Sequence, residues 1–415
     1  MGKSPRSLSS IGIAALAVMT LAACSGIATD GGGGSEDSKA VTELKIGAPY
    51  PLSGTWAVFG QDAVGGMEAA ADVINNNGGI TCLDGARVKI VSADTSDDPA
   101  QAQSVTTKMI QGESVSAIVG SYLSNLSLTT STAAEQARVP QLTQSFVDQL
   151  TERDYQYIFQ LPPKASAFGA DSVKFYLEIA ESQGESVGKA AVIASNDASG
   201  KAQAEAVVAA ATQSGITIPA PIVYPPGITD VTPVINDIQG AEPDVIFSYG
   251  PVADTTLVVK NLRDRGIDTP IIGIGGTGLL NRGIATTLGP LSEGLLSLTA
   301  WNDDMDLPGV EEAAAAFAAS NPDAPFMPQE AGESYVAVMA IAEAAEESCS
   351  ADPQAIRDAL SKMKFEGTAA AAMPPGIMEF DDAGMNEHAT PIVIQWQDGR
   401  PVTVWPEDVA AAPLQ

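Results

Sequence analysis

From Leu44 onward, short apolar runs rich in β-branched residues alternate with longer segments whose apolar positions recur every three or four residues. The first run, Leu44 to Tyr50, stops at Pro51, Ser53 and Gly54. Phe59 to Asn77 then carries Val64, Met67, Ala71 and Ile74 on one helical face. Asn75-Asn76-Asn77-Gly78-Gly79 ends that helix with residues suited to a left-handed cap. Arg87 to Ala93 is the next strand, and Asp97 and Asp98 are cap candidates ahead of Pro99, which a first helical turn tolerates. Further strands are expected at Ser116 to Gly120, Gln141 to Thr143 and Tyr155 to Leu161, with a helix from Ser124 to Gln136.

The alternation restarts after Pro162-Pro163. Helices are expected at Ala165 to Ser182, Gly200 to Gln213, Val231 to Ile238 and Ala253 to Arg265; strands are expected at Ala190 to Ala194, Pro221 to Tyr224, Asp244 to Tyr249 and Pro270 to Ile274. Two such series predict an α/β protein of two lobes, each a doubly wound parallel sheet. The last third differs: helices at Val310 to Ala319, Ala331 to Glu347 and Pro353 to Met363 precede a strand at Gly376 to Phe380. A hairpin of Ile392 to Gln397 and Val402 to Trp405 then turns at Asp398-Gly399. In open α/β sheets ligands bind beyond the carboxyl ends of the strands, so the residues just after each strand are the functional candidates.

The chain's start is different in kind. Lys3 and Arg6 precede a short apolar stretch, Ile11 to Ala23, whose thirteen residues span ~20 Å of helix against a bilayer core of ~30 Å. That is the form of an export signal over residues 1–23. Its end, Leu21-Ala22-Ala23-Cys24, resembles the lipobox of bacterial lipoproteins, which implies cleavage before Cys24 and a lipid on its sulfur. Residues 24–40, with Gly31 to Gly34, read as a flexible tether. No later segment approaches 18 uninterrupted apolar residues, so a lipid-anchored, extracytoplasmic protein at the cell membrane is expected, in the periplasm or on the outer face.

Composition narrows the function classes. Fifty-one acidic residues against 21 basic ones give −30, and loss of Lys3 and Arg6 with the signal gives −32. Phosphate backbones would repel such a surface, so nucleic acid is excluded as a partner. One histidine, His388, and three cysteines cannot build a Cys/His zinc site. Export leaves Cys82 and Cys349 where disulfides persist; a bond between them is expected, with two buried thiols as the alternative.

Several motifs invite a catalytic reading, and each fails on context. Gly273-Ile274-Gly275-Gly276-Thr277-Gly278 fits GxGxxG after a strand, but the segment beyond it is broken by Gly283 and Gly289-Pro290. A Ser-His-Asp triad would need His388, and the chain has no GxSxG elbow. Asp303-Asp304-Met305-Asp306 and Asp94 to Asp98 lack the spacing and glycine of a calcium loop. Neither an enzyme, a cofactor nor a metal is expected.

The segment LKIGAPYPLSGTWAVFGQDAVGGMEAAADVINNNGGI resembles the opening of type I periplasmic solute-binding proteins of the leucine/isoleucine/valine-binding class. The similarity continues through SADTSDDPAQA, AIVGSYLSN, LTERDYQYIFQLPP, AAVIASND, PDVIFSYG and DGRPVTVWP, covering residues 43–408. It implies two lobes joined by three crossings, expected near Gln160-Leu161-Pro162, Leu295 to Ala300 and Pro375 to Met378, with ligand held between them. Lobe 1 would comprise residues 41–161 and 298–376, and lobe 2 residues 162–297 and 377–415. The C-terminal helices then return to lobe 1, which places Cys349 with Cys82 and strengthens the case for their bond. The resemblance also implies a monomer that delivers a small molecule to the permease and ATPase of an ABC importer; a sensing module feeding a signalling partner is the alternative.

The family's binding residues carry over in part. Ser124 matches a serine that grips the ligand carboxylate at a helix start, Ser145 a position of backbone contacts and Phe59 an aromatic wall, with Trp56 and Tyr122 nearby. Leu123, Gln144 and Phe146 share these strand-end loops. Asp197, Ser199, Tyr249 and Thr277 are expected to close from the second lobe. There the pattern departs: Ser199 and Pro251 stand where the amino-acid binders have tyrosines, and Gly275 replaces the acid that pairs the ligand ammonium. Glu330 is a candidate for a relocated negative charge. With the aromatics in these loops, the expectation is an aromatic acid or amide, or an amino-acid-like solute, rather than a standard α-amino acid.

Overall fold

The computed structural model describes residues 41–276, 278–407 and 409–415. The signal segment 1–23, the lipidation candidate Cys24, the tether 24–40 and Thr277 lie outside the described residues.

The apolar run Glu43–Tyr50 (β1) pairs in parallel with Arg87–Asp94 (β2) and with Ala117–Val119 (β3). Gln141–Thr143 (β4) and Ile158–Gln160 (β5) extend the sheet in the order β2-β1-β3-β4-β5. A second sheet contains Ala190–Ser195 (β6), Ile222–Tyr224 (β7), Val245–Tyr249 (β8), Ile271–Gly273 (β9) and Leu296–Thr299 (β10). Lys364–Glu366 (β11) and Ile377–Glu379 (β12) make a separate antiparallel pair. Ile392–Gln397 (β13) and Arg400–Trp405 (β14) complete the second sheet as β14-β13-β10-β9-β8-β6-β7. The order reverses beside β1 in the first sheet and beside β6 in the second, the switch points where such sheets hold ligands.

Helices Ala57–Asn76 (α1), Pro99–Lys108 (α2) and Ser124–Ala137 (α3) belong to the first sheet. Ala165–Ser182 (α4), Ala198–Gln213 (α5), Thr232–Ala241 (α6), Val252–Asp264 (α7) and Ile284–Leu288 (α8) belong to the second. Val310–Ser320 (α9), Gln329–Ser348 (α10) and Pro353–Leu360 (α11) return to the first, with α9 and α10 against α1. The two helices α1 and α10 meet backbone to backbone at Gly66, where an added Cβ would lie 2.0 Å from the Ala331 carbonyl. Cys82 and the α10 C-cap Cys349 are joined in a disulfide, Cα atoms 5.3 Å apart.

Local signals resolve as side-chain chemistry dictates. Asp98 caps α2 by accepting from the Ala100 and Gln101 amides, with Pro99 in the first turn. Asp398 and Gly399 both take positive φ, 52° and 76°, in the β13–β14 turn. One expectation shifts. Leu296 to Thr299, expected as part of a crossing, is a buried strand between β9 and β13. Residues 380–391 connect β12 to β13, and there Asn386 Nδ2 donates to the Leu161 carbonyl at 3.1 Å, just beyond β5. After the GxGxxG match, the chain forms a single 3-10 turn, Gly278–Leu280, not the helix that would cradle a pyrophosphate. No helix among the described residues is long and apolar enough to cross a membrane.

Candidate ligand-binding cleft

The strand ends of the two sheets face each other. Trp56 precedes α1 and Phe59 lies in its first turn. Gly60 lets that turn rest on the β1 exit, since a Cβ there would meet the Pro51 carbonyl at 2.1 Å. Tyr122, after β3, stacks on Phe59 with ring centroids 4.7 Å apart and planes 8° apart; Trp56 completes the cluster at 5.6 Å from Phe59 and 6.1 Å from Tyr122. The phenol of Tyr122 reaches across and donates to the Gly276 carbonyl at 3.2 Å. Phe146, after β4, packs edge-on against Phe168 of α4 at 4.8 Å. At the mouth, Trp56, Leu123 and Asn125 face Asp197, Ala198 and Lys201 around a groove of about 520 Å³.

The expected polar anchors are brought to this cleft, but several are already engaged. Ser124 starts α3 and its Oγ accepts from the Val147 amide at 3.3 Å. Ser145, expected to anchor ligand, has its polar groups bound within the first lobe. Its Oγ sits 2.7 Å from the Ser121 carbonyl and 2.9 Å from that of Tyr122, its N–H meets Thr143 Oγ1, and its carbonyl accepts from Gln160. Ser145 therefore positions the Tyr122 loop. Gln144 accepts from Ser334 at 2.8 Å, while its buried Nε2 has no partner among the described residues.

On the second lobe, Asp197 caps α5 through the Gly200 amide at 2.9 Å and also accepts from Ser195, so both of its oxygens are taken. Burial raises its carboxyl pKa despite these bonds. Ser199 accepts from Gln203 at 2.9 Å and pairs with Tyr249, whose phenol is pushed well up by burial and by the Asp197 charge. These groups bond chiefly to one another in this structure. Gly275 has no room for a side chain: a Cβ would lie 2.4 Å from the Phe168 ring.

A charged group that periodicity does not single out lies on the first-lobe wall. Glu330 and Glu333, in the opening turns of α10, are 2% and 1% exposed, and Asp62 of α1 is 2% exposed. Arg282, from the segment after β9, reaches Asp62 Oδ1 at 2.7 Å across the cleft. Burial lifts Asp62 to about 6 against the pull of Arg282. Burial, with the Asp62 charge adding, raises Glu330 well above the usual range; burial and then Glu330 do the same to Glu333. The signal for Asp62 is present, three residues after Phe59 on the buried face, but a charge in an amphipathic helix reads by default as exposed. Arg282 sits in an irregular loop with no pattern to betray it.

Two α/β lobes with a polar, aromatic-walled cleft between opposed strand ends define a two-lobed ligand receptor. Residues 43–400 match the periplasmic binding protein family, and the chain belongs to it. It is 28% identical to the Leu/Ile/Val-binding protein homolog 8 of Brucella melitensis over 388 residues, 91% of this chain and 94% of that one. It is 27% identical to homolog 7 of Brucella abortus over 392 residues, with the same coverage of both chains. Among solved structures, the leucine-binding protein LivK of Thermotoga maritima superposes with a TM-score of 0.76 at 20% identity, covering 88% of this chain and 100% of that one. The solute-binding protein of R. palustris in complex with benzoate gives 0.75 at 18% identity, covering 90% and 97%. At these identities the solved structures establish the fold, a type I periplasmic binding protein.

Proposed function

We propose that this chain is the extracytoplasmic, lipid-anchored solute-binding component of an ABC importer, with Cys24 as the anchor and a small organic solute as cargo. The observation that carries the proposal is the pair of contacts made from lobe to lobe, Tyr122 to Gly276 and Asp62 to Arg282. Contacts of this kind exist only when the lobes are together, so they bias an open–closed equilibrium that a solute touching both faces would shift further. The lobes divide near residue 161, after β10 at residue 299 and between β12 and β13, and the closed monomer is what a permease with its ATPase would recognise. The curated relatives bear names of Leu/Ile/Val-binding proteins, and one fold neighbour holds benzoate. Amino-acid-like and aromatic solutes are therefore the first classes to screen.

The test is a thermal-shift screen over amino acids, amines, amides and aromatic acids, because binding to the native state raises the melting point. Uptake of the labelled hit is then measured in cells carrying the wild type or Cys24→Ser. Loss of uptake without the anchored protein supports the importer; a hit whose uptake is indifferent to the protein points to a sensor.

A further inference from the structure

Three buried carboxylates act on one another in series, Asp62 on Glu330 and Glu330 on Glu333, and one guanidinium, Arg282, pairs with Asp62. Arg282 occupies Asp62 Oδ1, while Asp62 Oδ2, Glu330 Oε1 and Glu333 Oε1 are buried without a hydrogen-bond partner among the described residues. The second oxygen of Glu333 has one long bond, from Gln329 at 3.4 Å. Gln329 also ties the start of α10 to the end of β10, accepting from the Ala300 amide at 2.9 Å, so the glutamates are set where the second crossing begins. Both bear electrostatically on the Tyr122 phenol, the group that bridges the lobes.

Buried carboxylate oxygens without partners are costly, and a protein that retains them in a binding cleft gains when a cation arrives. A single metal ion is a poor match. Among the described residues, only Glu379, Glu387 and His388 bring three ligand atoms within 4.8 Å of one another, so the oxygens of Asp62, Glu330 and Glu333 are too widely spread. An organic cation, larger and surrounded by N–H or C–H groups, spans such a spread, and the stacked Phe59 and Tyr122 supply apolar surface on the same lobe. An aromatic acid would bring a further negative charge to this wall.

We infer that the start of α10 is a cation-receiving subsite, in which Glu330, Glu333 and Asp62 take an ammonium-type centre of the solute while Phe59 and Tyr122 cover its apolar body. This rests on the importer reading and names the charge of its cargo. The groups facing the two glutamates are Asp62 from α1, Arg282 from the segment after β9, Tyr50 from β1 and Tyr122 from the β3–α3 loop. Burial raises the pKa of both glutamates while a bound cation favours their ionised form, so binding releases protons and affinity rises with pH.

The test uses the compact unit 40–415 and three compounds sharing one body: benzylamine, benzamide and benzoate. Calorimetry is expected to show benzylamine binding tightest, with affinity rising from about pH 6 to about pH 8. Glu330→Gln and Glu333→Gln are each expected to weaken it about tenfold or more without lowering the melting point of the unliganded protein. Tighter binding of benzoate or benzamide, absence of benzylamine binding, or unchanged affinity in both variants overturns the assignment. If benzoate or benzamide binds and Tyr122→Ala abolishes it, the cation subsite falls and the receptor stands. If no compound binds and none co-purifies, both fall.

Discussion

Arg282 of the second lobe grips Asp62 of the first across the cleft, Nη2 to Oδ1 at 2.7 Å. The carboxylate is 2% exposed and its partner stands 27% exposed at the rim, so water screens the pair little from the Asp62 side. Arg282→Met is expected to open the lobes of the unliganded protein, costing its closed form about 2–5 kcal/mol, because it leaves a buried charge unpaired. Asp62→Asn combined with Arg282→Met should recover part of that loss. Inter-lobe fluorescence transfer, read for both variants, checks the expectation.

The Tyr122 phenol makes the second bridge, to the Gly276 carbonyl. Tyr122→Phe keeps the stack on Phe59 and removes one hydrogen bond, a change of about 0.5–1.5 kcal/mol. Solute affinity should fall by roughly twofold to tenfold, with the unfolding midpoint unaltered. An unfolding midpoint that falls along with affinity would assign the phenol to stability instead.

The acidic wall makes stability depend on pH in an unusual direction. Asp62 lies raised to about 6 from 3.8, so between those values the folded chain binds more protons than the unfolded one and stability falls as pH rises. Over that shift the loss is roughly 3 kcal/mol. Glu330 and Glu333 act in the same direction. Glu333→Gln should therefore lessen the fall in stability of the unliganded protein as pH rises, as measured by denaturant midpoints across a pH series. Destabilisation at the higher pH would show that the charge is compensated.

The Cys82–Cys349 bond ties the segment after α1 to the end of α10. Cys349→Ser is expected to cost about 2–4 kcal/mol of stability. With Cys24 removed, thiol counting after unfolding without reductant should find none free.

The alternation of strands and helices is legible in the sequence because each buried strand is a short apolar run and each helix keeps one apolar stripe. Asp98 before Pro99, and Asp398-Gly399 between two β runs, announce their own geometry for the same local reasons. Leu296 to Thr299 is less legible: four residues of mixed polarity give too short a pattern to separate a strand from a connection. The cleft's aromatics are legible because they follow strands. Asp62 and Glu333 are not, since helical charges usually face water and their burial comes from α1, α10 and the opposing lobe closing over them; Arg282 is not, because it lies in an irregular loop. Ser145 shows the converse: its position after β4 can be read from the chain, while its bonds to the Ser121 and Tyr122 carbonyls depend on a fold of the loop that spacing does not encode.

Capture of one solute between the lobes is tested most directly by native mass spectrometry of the purified unit 40–415 after exposure to cell extract. The expected result is one small organic molecule retained per chain, lost from Tyr122→Ala and reduced in Glu330→Gln. A bare chain mass for the wild type, or equal retention by all three proteins, would contradict solute capture in this cleft.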